Sequence, residues 1–564
     1  MCPHIVTQAF IFAVVCGFVH FLFLLHHHRS KINKLRNQGM PMPKEWSWAT
    51  GHLLTLWRYK NKFPRDAFVG TALTLLAADF SDTEAFVMDL WPVAPAILIV
   101  YSPELSTQIS TKYNLLKEES FEKSLGPITG GPNMLTMNGE QWKMWRAIFN
   151  PGFSAASMQD YVPHVVSSVE TFCELLDKKT REGDIFRLGD LTMRLTADVI
   201  TKLTLNTSLD CQRSENLLGD GLQAIIRWHS LWDPFVLMNP LRPIVQRYHS
   251  WRINRYIQRE LRKQFLEQIS GKPPRDAADS GRVKSIASLI LESSARSKPS
   301  KLLRTRTGID HHFINLATNQ IRLFLFAGSD TTSSSIIYTY HLLSQHPGVL
   351  EKLRAEHTAI FGPDPSKAAD LLRNSPILLN KCRYTMAVIK ETLRLYSPAA
   401  TMRAGGDGIV LRDRTNYAYP MEHLSVSIIH RAVHLNPRVW PRPREFLPDR
   451  FLVDRGHELY PNPAAYRPFE QGPRACIGQN MVYNEMRIVL ILTARKFIIK
   501  PAYEEWRTLH RWKREWIETF SGDESSARWE IDEHVFGDRA YQTEKAGTHP
   551  KNGYPCRVEV LHNE

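Results

Sequence analysis

From Ile5 to Leu25 the chain reads IVTQAFIFAVVCGFVHFLFLL, about 21 residues without a formal charge, the length that a hydrocarbon core of roughly 30 Å asks of a helix. This pattern predicts one transmembrane helix. A cleaved signal peptide would have a shorter apolar region ending at a small-residue site, whereas this run continues into HHHRSKINKLR. Beyond it, GMPMPK (Gly39 to Lys44) breaks the pattern and reads as a stiff hinge. Apolar residues three and four apart then predict helices in NGEQWKMWRAIFN, TFCELLDKKTREG, WRINRYIQRELRKQFLEQIS and the long HHFINLATNQIRLFLFAGSDTTSSSIIYTYHLLSQH. Short β-rich runs in PAILIVYSPE and YPCRVEVL predict strands. Lys272–Lys284 and Phe361–Asp370 read as surface loops, and the charge-rich stretch from Ile498 to about Ala540 as an elaborated surface segment. The expectation is a mostly α chain with a small β region: an anchor over residues 1–28, a basic, proline-containing hinge over 29–48, and one catalytic domain over 49–564.

Composition narrows this little: 43% hydrophobic and 23% charged residues suit a globular protein and exclude wholesale disorder. The net charge of +14 comes from scattered basic residues with no zinc-finger or RNA-recognition signature, so nucleic acid is not expected, and anionic lipid or an acidic protein partner explains the charge. Arg29, Lys31, Lys34 and Arg36 follow the apolar run while no lysine or arginine precedes it, which places the carboxy-terminal bulk in the cytosol. The 7 cysteines are an odd number without a C-x-x-C unit, arguing against a secreted disulfide framework or a structural zinc site.

One cysteine stands apart. In FEQGPRACIGQ, Phe469 to Gln479, Cys476 sits among Gly472, Pro473, Arg474 and Gly478. The glycines permit close backbone approach and positive φ, the proline stiffens the turn, and Arg474 places positive charge beside an anionic site, surroundings that favour a thiolate. With Phe469, Gly472, Arg474, Cys476 and Gly478 at these spacings, the stretch resembles the haem-ligand loop of the cytochrome P450 superfamily. The resemblance implies a P450 fold, haem b, and Cys476 as the axial thiolate ligand of its iron.

Other blocks match in the same order. KETLRLYSP holds Glu391 and Arg394, three apart on one helix face, and PREFLPDRF holds Arg450, which by resemblance completes a structural ion network. FAGSDTTSSS places Gly328, Thr331 and Thr332 where hydroxyls and a missing side chain can open a local groove, and Asp330 with Thr331 match the family's acid–alcohol pair for proton delivery. Trp142 and Arg146 in QWKMWR, together with Arg403 and Arg474, match positions that meet the haem propionates. Counting back from Thr331 at roughly 100° per residue puts Gly328, Ala327, Phe324, Gln320 and Ala317 on one face, expected to look at substrate. Gln320 is the polar member, able to hydrogen-bond either a substrate oxygen or a neighbouring loop. Ala399 and Ala400 match another pocket-lining segment.

The resemblance implies a monooxygenase inserting one oxygen atom from O2 into a small apolar substrate by hydroxylation or epoxidation. The text around EQWKMWRAIFNPGFS and THPKNGYPCRV is similar to fungal P450s of secondary metabolism, several of which oxidise polyketide or terpenoid skeletons. No flavin or dinucleotide fingerprint is visible, so electrons from NADPH are expected through a flavoprotein partner, NADPH-cytochrome P450 reductase, with cytochrome b5 as a further donor. Single-pass residence in the endoplasmic reticulum membrane follows from the same likeness. Two alternatives stay open at this point: a non-oxidative haem-thiolate isomerase or dehydratase, which would tend to lack the acid–alcohol pair, and a non-enzymatic haem-binding sensor.

Overall fold

The computed structural model describes residues 3–230, 234–270, 284–296, 304–305, 308–510, 534–545 and 547–561. All but the last residue of the loop expected over Lys272–Lys284, and the middle of the segment expected before Ala540, lie outside the described residues. The chain is mostly helical with small sheets. All four helical patterns form helices: Gly139–Phe149, Val162–Glu182, Arg242–Ile269 and His311–Gln345. The last, 35 residues long, is the central helix; it is buried along most of its length, packing against Leu188–Leu205 and Arg383–Leu395. This explains why its apolar pattern runs almost all round rather than along one stripe.

Both expected strands form. Ile97–Val100 is wholly buried, pairing antiparallel with Ala85–Met88 and parallel with Ser425–Ile428, which also takes Thr401–Ala404 to make four strands. Pro555–Val560 closes a second sheet between Phe497–Pro501 and Phe186–Arg187. A further hairpin, Gln542–Lys545 with Gly547–Pro550, lies against the central helix. The expected loop over Phe361–Asp370 is shorter than its proline content suggested. Asp364 caps a short turn through Ser366 N, and Ala368 already begins the helix Ala368–Asn374.

Among the described residues one helix is long and apolar enough to cross a membrane, Thr7–Asn37, with none of its apolar window buried in the protein. The helix runs unbroken through residue 28, where the sequence suggested a change from anchor to hinge, and ends at Asn37. Its far end is tied to the folded domain. Arg29, fully buried, pairs with Asp89 and donates from Nε to Trp48 O at 3.0 Å, and His28 Nε2 lies 2.9 Å from Asp89 Oδ1. Burial is outweighed by hydrogen bonds from His28 and from Trp46 Nε1 (2.9 Å) and by the Arg29 guanidinium, which hold the Asp89 carboxyl down at about 2.

Candidate active site

The ion network is complete. Arg394 donates to both oxygens of Glu391, at 2.7 and 2.8 Å, and Arg450 Nε to Glu391 Oε1 at 3.0 Å, all three side chains having no exposed surface. The other guanidinium hydrogens are answered by carbonyls: Arg394 reaches His434, Pro443 and Glu445, and Arg450 reaches Pro441 and Arg442. Leu447 N adds a donor to Glu391 Oε1 at 3.0 Å, and Trp440 lies under both guanidinium groups. With charges paired and hydrogen bonds satisfied, this cluster pins the meander after strand Ser425–Ile428 to the helix Arg383–Leu395.

That meander leads to the cysteine loop. Cys476 N donates to Phe469 O at 2.8 Å, closing the turn, and the Phe469 ring packs edge-on against Tyr483 at 5.1 Å. Gly472 has φ +78°, and a side chain there would run into Ser110 O, so glycine is required on both counts. Gly478 differs from expectation: its φ is −84°, and it caps the helix Gln479–Thr493, its Cα hydrogen side lying open toward Cys476 Sγ, which a Cβ would meet at 3.9 Å. Among the described residues Cys173, Cys211, Cys382 and Cys556 are buried, whereas the Cys476 thiol is accessible although the protein encloses it closely.

The charges around Cys476 also differ from expectation. Arg474 turns away from the thiol: its two terminal nitrogens donate to Met137 O (3.0 Å) and Asn138 Oδ1 (2.9 Å), and its guanidinium lies 4.5 Å from the centre of the Trp142 ring. The arginine that acts on the thiol is Arg146, held by Nη1 on Ala475 O at 2.9 Å. Burial nonetheless pushes the Cys476 pKa up, against the pull of the Gly478 N–H and Arg146. In the bare loop, burial works against the thiolate that the sequence suggested. A bound cation at sulfur is what would reverse that balance.

Beyond the loop sits a cluster of cations. Arg403 is fully buried; only its Nη1 has a partner, Leu115 O at 3.2 Å, leaving Nε and Nη2 unanswered, as is Arg474 Nε. Burial and the Arg403 charge together bring Arg474 down to about 10. Lys117 joins them, its pKa lowered by burial and then by Arg403 and Arg474. It is tied to Arg474 through Asn138, which takes Lys117 N at 2.8 Å on the oxygen that Arg474 also uses. Nothing in the sequence marked Lys117; it lies outside every motif and enters only because the chain folds its backbone onto Asn138. Unanswered donors on the buried Arg403 and the half-buried Arg474, with the buried Lys117 beside them, fit a group carrying two carboxylates, so the residues present fit a haem with its iron at Cys476 and its propionates at this cluster.

The central helix corrects the expected substrate face. Gln320 is buried and accepts from Met134 N at 2.8 Å, so of its two possible partners it takes the neighbouring loop. Phe324 is buried between Phe149 and Phe153, ring centres 4.9 and 5.2 Å away, and Ala317 is 1% exposed. Ala327, Gly328 and Thr331 are the members of that face that keep accessible surface. The face is narrower than an ideal 100° count implies, because Phe149 and Phe153 cover Phe324 and the loop with Met134 and Met137 covers Gln320. Gly328 is a crossing point rather than a groove: a side chain there would meet Ile200. Ala399 and Ala400 are exposed at the start of strand Thr401–Ala404. Thr331 Oγ1 donates to Ala327 O at 2.7 Å, and Asp330, with no exposed surface, is bound by His549 Nε2 at 2.7 Å and Gly547 N at 3.0 Å.

Comparison with known proteins covers most of the chain. A family model described as "Cytochrome P450" matches residues 77–515. The chain is 35% identical over 553 residues to a cytochrome P450 monooxygenase, polC, of Polytolypa hystricis, covering 96% of this chain and 94% of that one. It is 31% identical over 516 residues to the monooxygenase acrF of Aspergillus aculeatus, covering 88% and 99%. The crystal structure of the cytochrome P450DA heme domain superposes with a TM-score of 0.67 at 20% identity, over 93% of this chain and 97% of that one.

Proposed function

The chain belongs to the cytochrome P450 family and is an oxidoreductase of the monooxygenase kind; from that premise we propose that it hydroxylates or epoxidises an apolar intermediate of fungal secondary metabolism, such as a polyketide or terpenoid. The family implies haem-thiolate iron, an organic substrate and a redox partner. We assign the iron to Cys476, the loop geometry to Phe469, Gly472 and Gly478, and the propionates to Arg403, Arg474 and Lys117, with Trp142 stacked beneath Arg474. Arg146 is placed otherwise: it braces the loop and acts on the sulfur. Bound haem would supply the reductive activation of dioxygen.

The protein's own part is to fix, shield and protonate. Glu391, Arg394 and Arg450 hold the meander that carries the loop. Thr331 lies on the accessible face of the central helix, beside Ala327, with the buried Asp330 next to it in the chain as the acid partner in proton delivery, and Ala399 and Ala400 border the substrate space. The single apolar amino-terminal helix anchors the domain, by this reading in the endoplasmic reticulum with the domain cytosolic, where NADPH-cytochrome P450 reductase and cytochrome b5 would meet a chain of net charge +14. The observation that carries the reading is the accessible Cys476 thiol beside a buried, unanswered cation cluster. The test is turnover of extracts from a strain lacking the gene by the full-length protein with reductase and NADPH under 18O2. One labelled oxygen in a new product is expected; a product that forms without O2 would overturn it.

A further inference from the structure

Asp330 has no exposed surface, yet both its oxygens are engaged, and both donors come from one element more than two hundred residues away. His549 Nε2 and Gly547 N lie on the same strand of the hairpin formed by Gln542–Lys545 and Gly547–Pro550. Gly547 is not among the residues with positive φ, so no turn requires a glycine there; a side chain would instead run into Asp330 Oδ2. The missing Cβ makes room for the carboxylate. The hairpin is held in turn from two sides: Ser334 on the central helix donates to Thr548 O at 2.5 Å, while Thr548 N reaches Pro398 O at 3.2 Å and Gln542 Nε2 reaches Ser397 O at 3.1 Å. Ser397 and Pro398 directly precede Ala399 and Ala400.

We propose that His549 is a positioning residue: with Gly547 N–H it clamps Asp330, so that the hairpin, tied to the segment bordering the substrate space, sets the carboxylate's orientation for proton delivery. The inference rests on the reading of Asp330 as the proton-holding group. Two donors aimed at two oxygens fix the plane of a carboxylate; loss of one frees it to turn. A substrate that shifts Ala399 and Ala400 would move the donors through Ser397 and Pro398, joining occupancy of the pocket to proton delivery.

The experiment uses the full-length haem-loaded protein. Hydrogen exchange followed by mass spectrometry should show the Gly547 to His549 amides exchanging about tenfold faster in His549→Leu and in Asp330→Ala. His549→Gln, whose amide can donate to the same oxygen, should restore protection. With reductase and NADPH, the share of electrons released as hydrogen peroxide should rise in both single variants and no further in the double variant, since the two act as a unit. Wild-type protection and peroxide share in His549→Leu, or additive effects in the double variant, would overturn the proposal. A peroxide rise in Asp330→Ala alone would overturn it while sparing the role of Asp330. Faster exchange in both with no peroxide change in either would remove Asp330 as the proton group and the catalytic part of the proposal with it.

Discussion

Two buried clusters of arginine, both within reach of the cysteine loop along the chain, are answered in opposite ways. Around Glu391, the guanidinium groups of Arg394 and Arg450 are fully supplied with acceptors, and Trp440 fills the space between them. Arg403 is buried as deeply, but nitrogens of Arg403 and of the half-buried Arg474 lack acceptors, and the Lys117 amine beside them is pushed down by burial and by both arginines. A buried charge that is fully answered is part of the architecture. One left unanswered is costly to the bare protein and is kept for something that binds there.

The contrast can be broken at either side. The largest effect is expected at the answered cluster: Glu391→Ala leaves two guanidinium groups buried without their carboxylate and should cost about 3 to 5 kcal/mol, read as a fall in unfolding free energy and in the yield of folded protein. At the unanswered cluster, Arg403→Ala should do the reverse, leaving the stability of the haem-free protein nearly unchanged while haem transfer to an acceptor protein speeds up by about tenfold or more, the worth of one charge-assisted hydrogen bond. If Arg403→Ala destabilised the haem-free protein as Glu391→Ala does, the distinction would fall.

The Asp89 carboxylate, answered by Arg29 and His28, offers a pH test. Its folded pKa, about 2, lies below the usual 3.8, so its stabilisation is complete above roughly pH 4 and is lost as pH falls toward 2. The shift corresponds to about 2 kcal/mol, which Asp89→Asn should remove from the acid limb of an unfolding curve. The smallest effect is expected at Gln320. Gln320→Leu strips the acceptor from Met134 N and should cost roughly 1 to 2 kcal/mol in thermal unfolding without changing product regiochemistry. An altered product would return Gln320 to the substrate face.

What the sequence disclosed follows the same divide. The long helices, the strands Ile97–Val100 and Pro555–Val560, and the Glu391–Arg394 pair were legible because each depends on local period or spacing. The direction of Arg474, the thiol balance at Cys476, the partner of Gln320 and the inclusion of Lys117 were not, because each is decided by a neighbour far along the chain. Arg474 is drawn off by Met137 and Asn138, more than 330 residues earlier. Asp330 was legible as a residue and not as a contact: no spacing announces that His549 and Gly547 will close on it. The substrate face was over-read for a related reason, since helical geometry gives the direction of a side chain but not what already occupies that direction.

The central claim is that Cys476 is the thiolate that holds haem iron, and one spectrum addresses it most directly. The reduced full-length protein under carbon monoxide should show the red-shifted band of thiolate-ligated haem, and Cys476→Ser, folded by circular dichroism, should lose that band. Persistence of the band in Cys476→Ser would contradict the account.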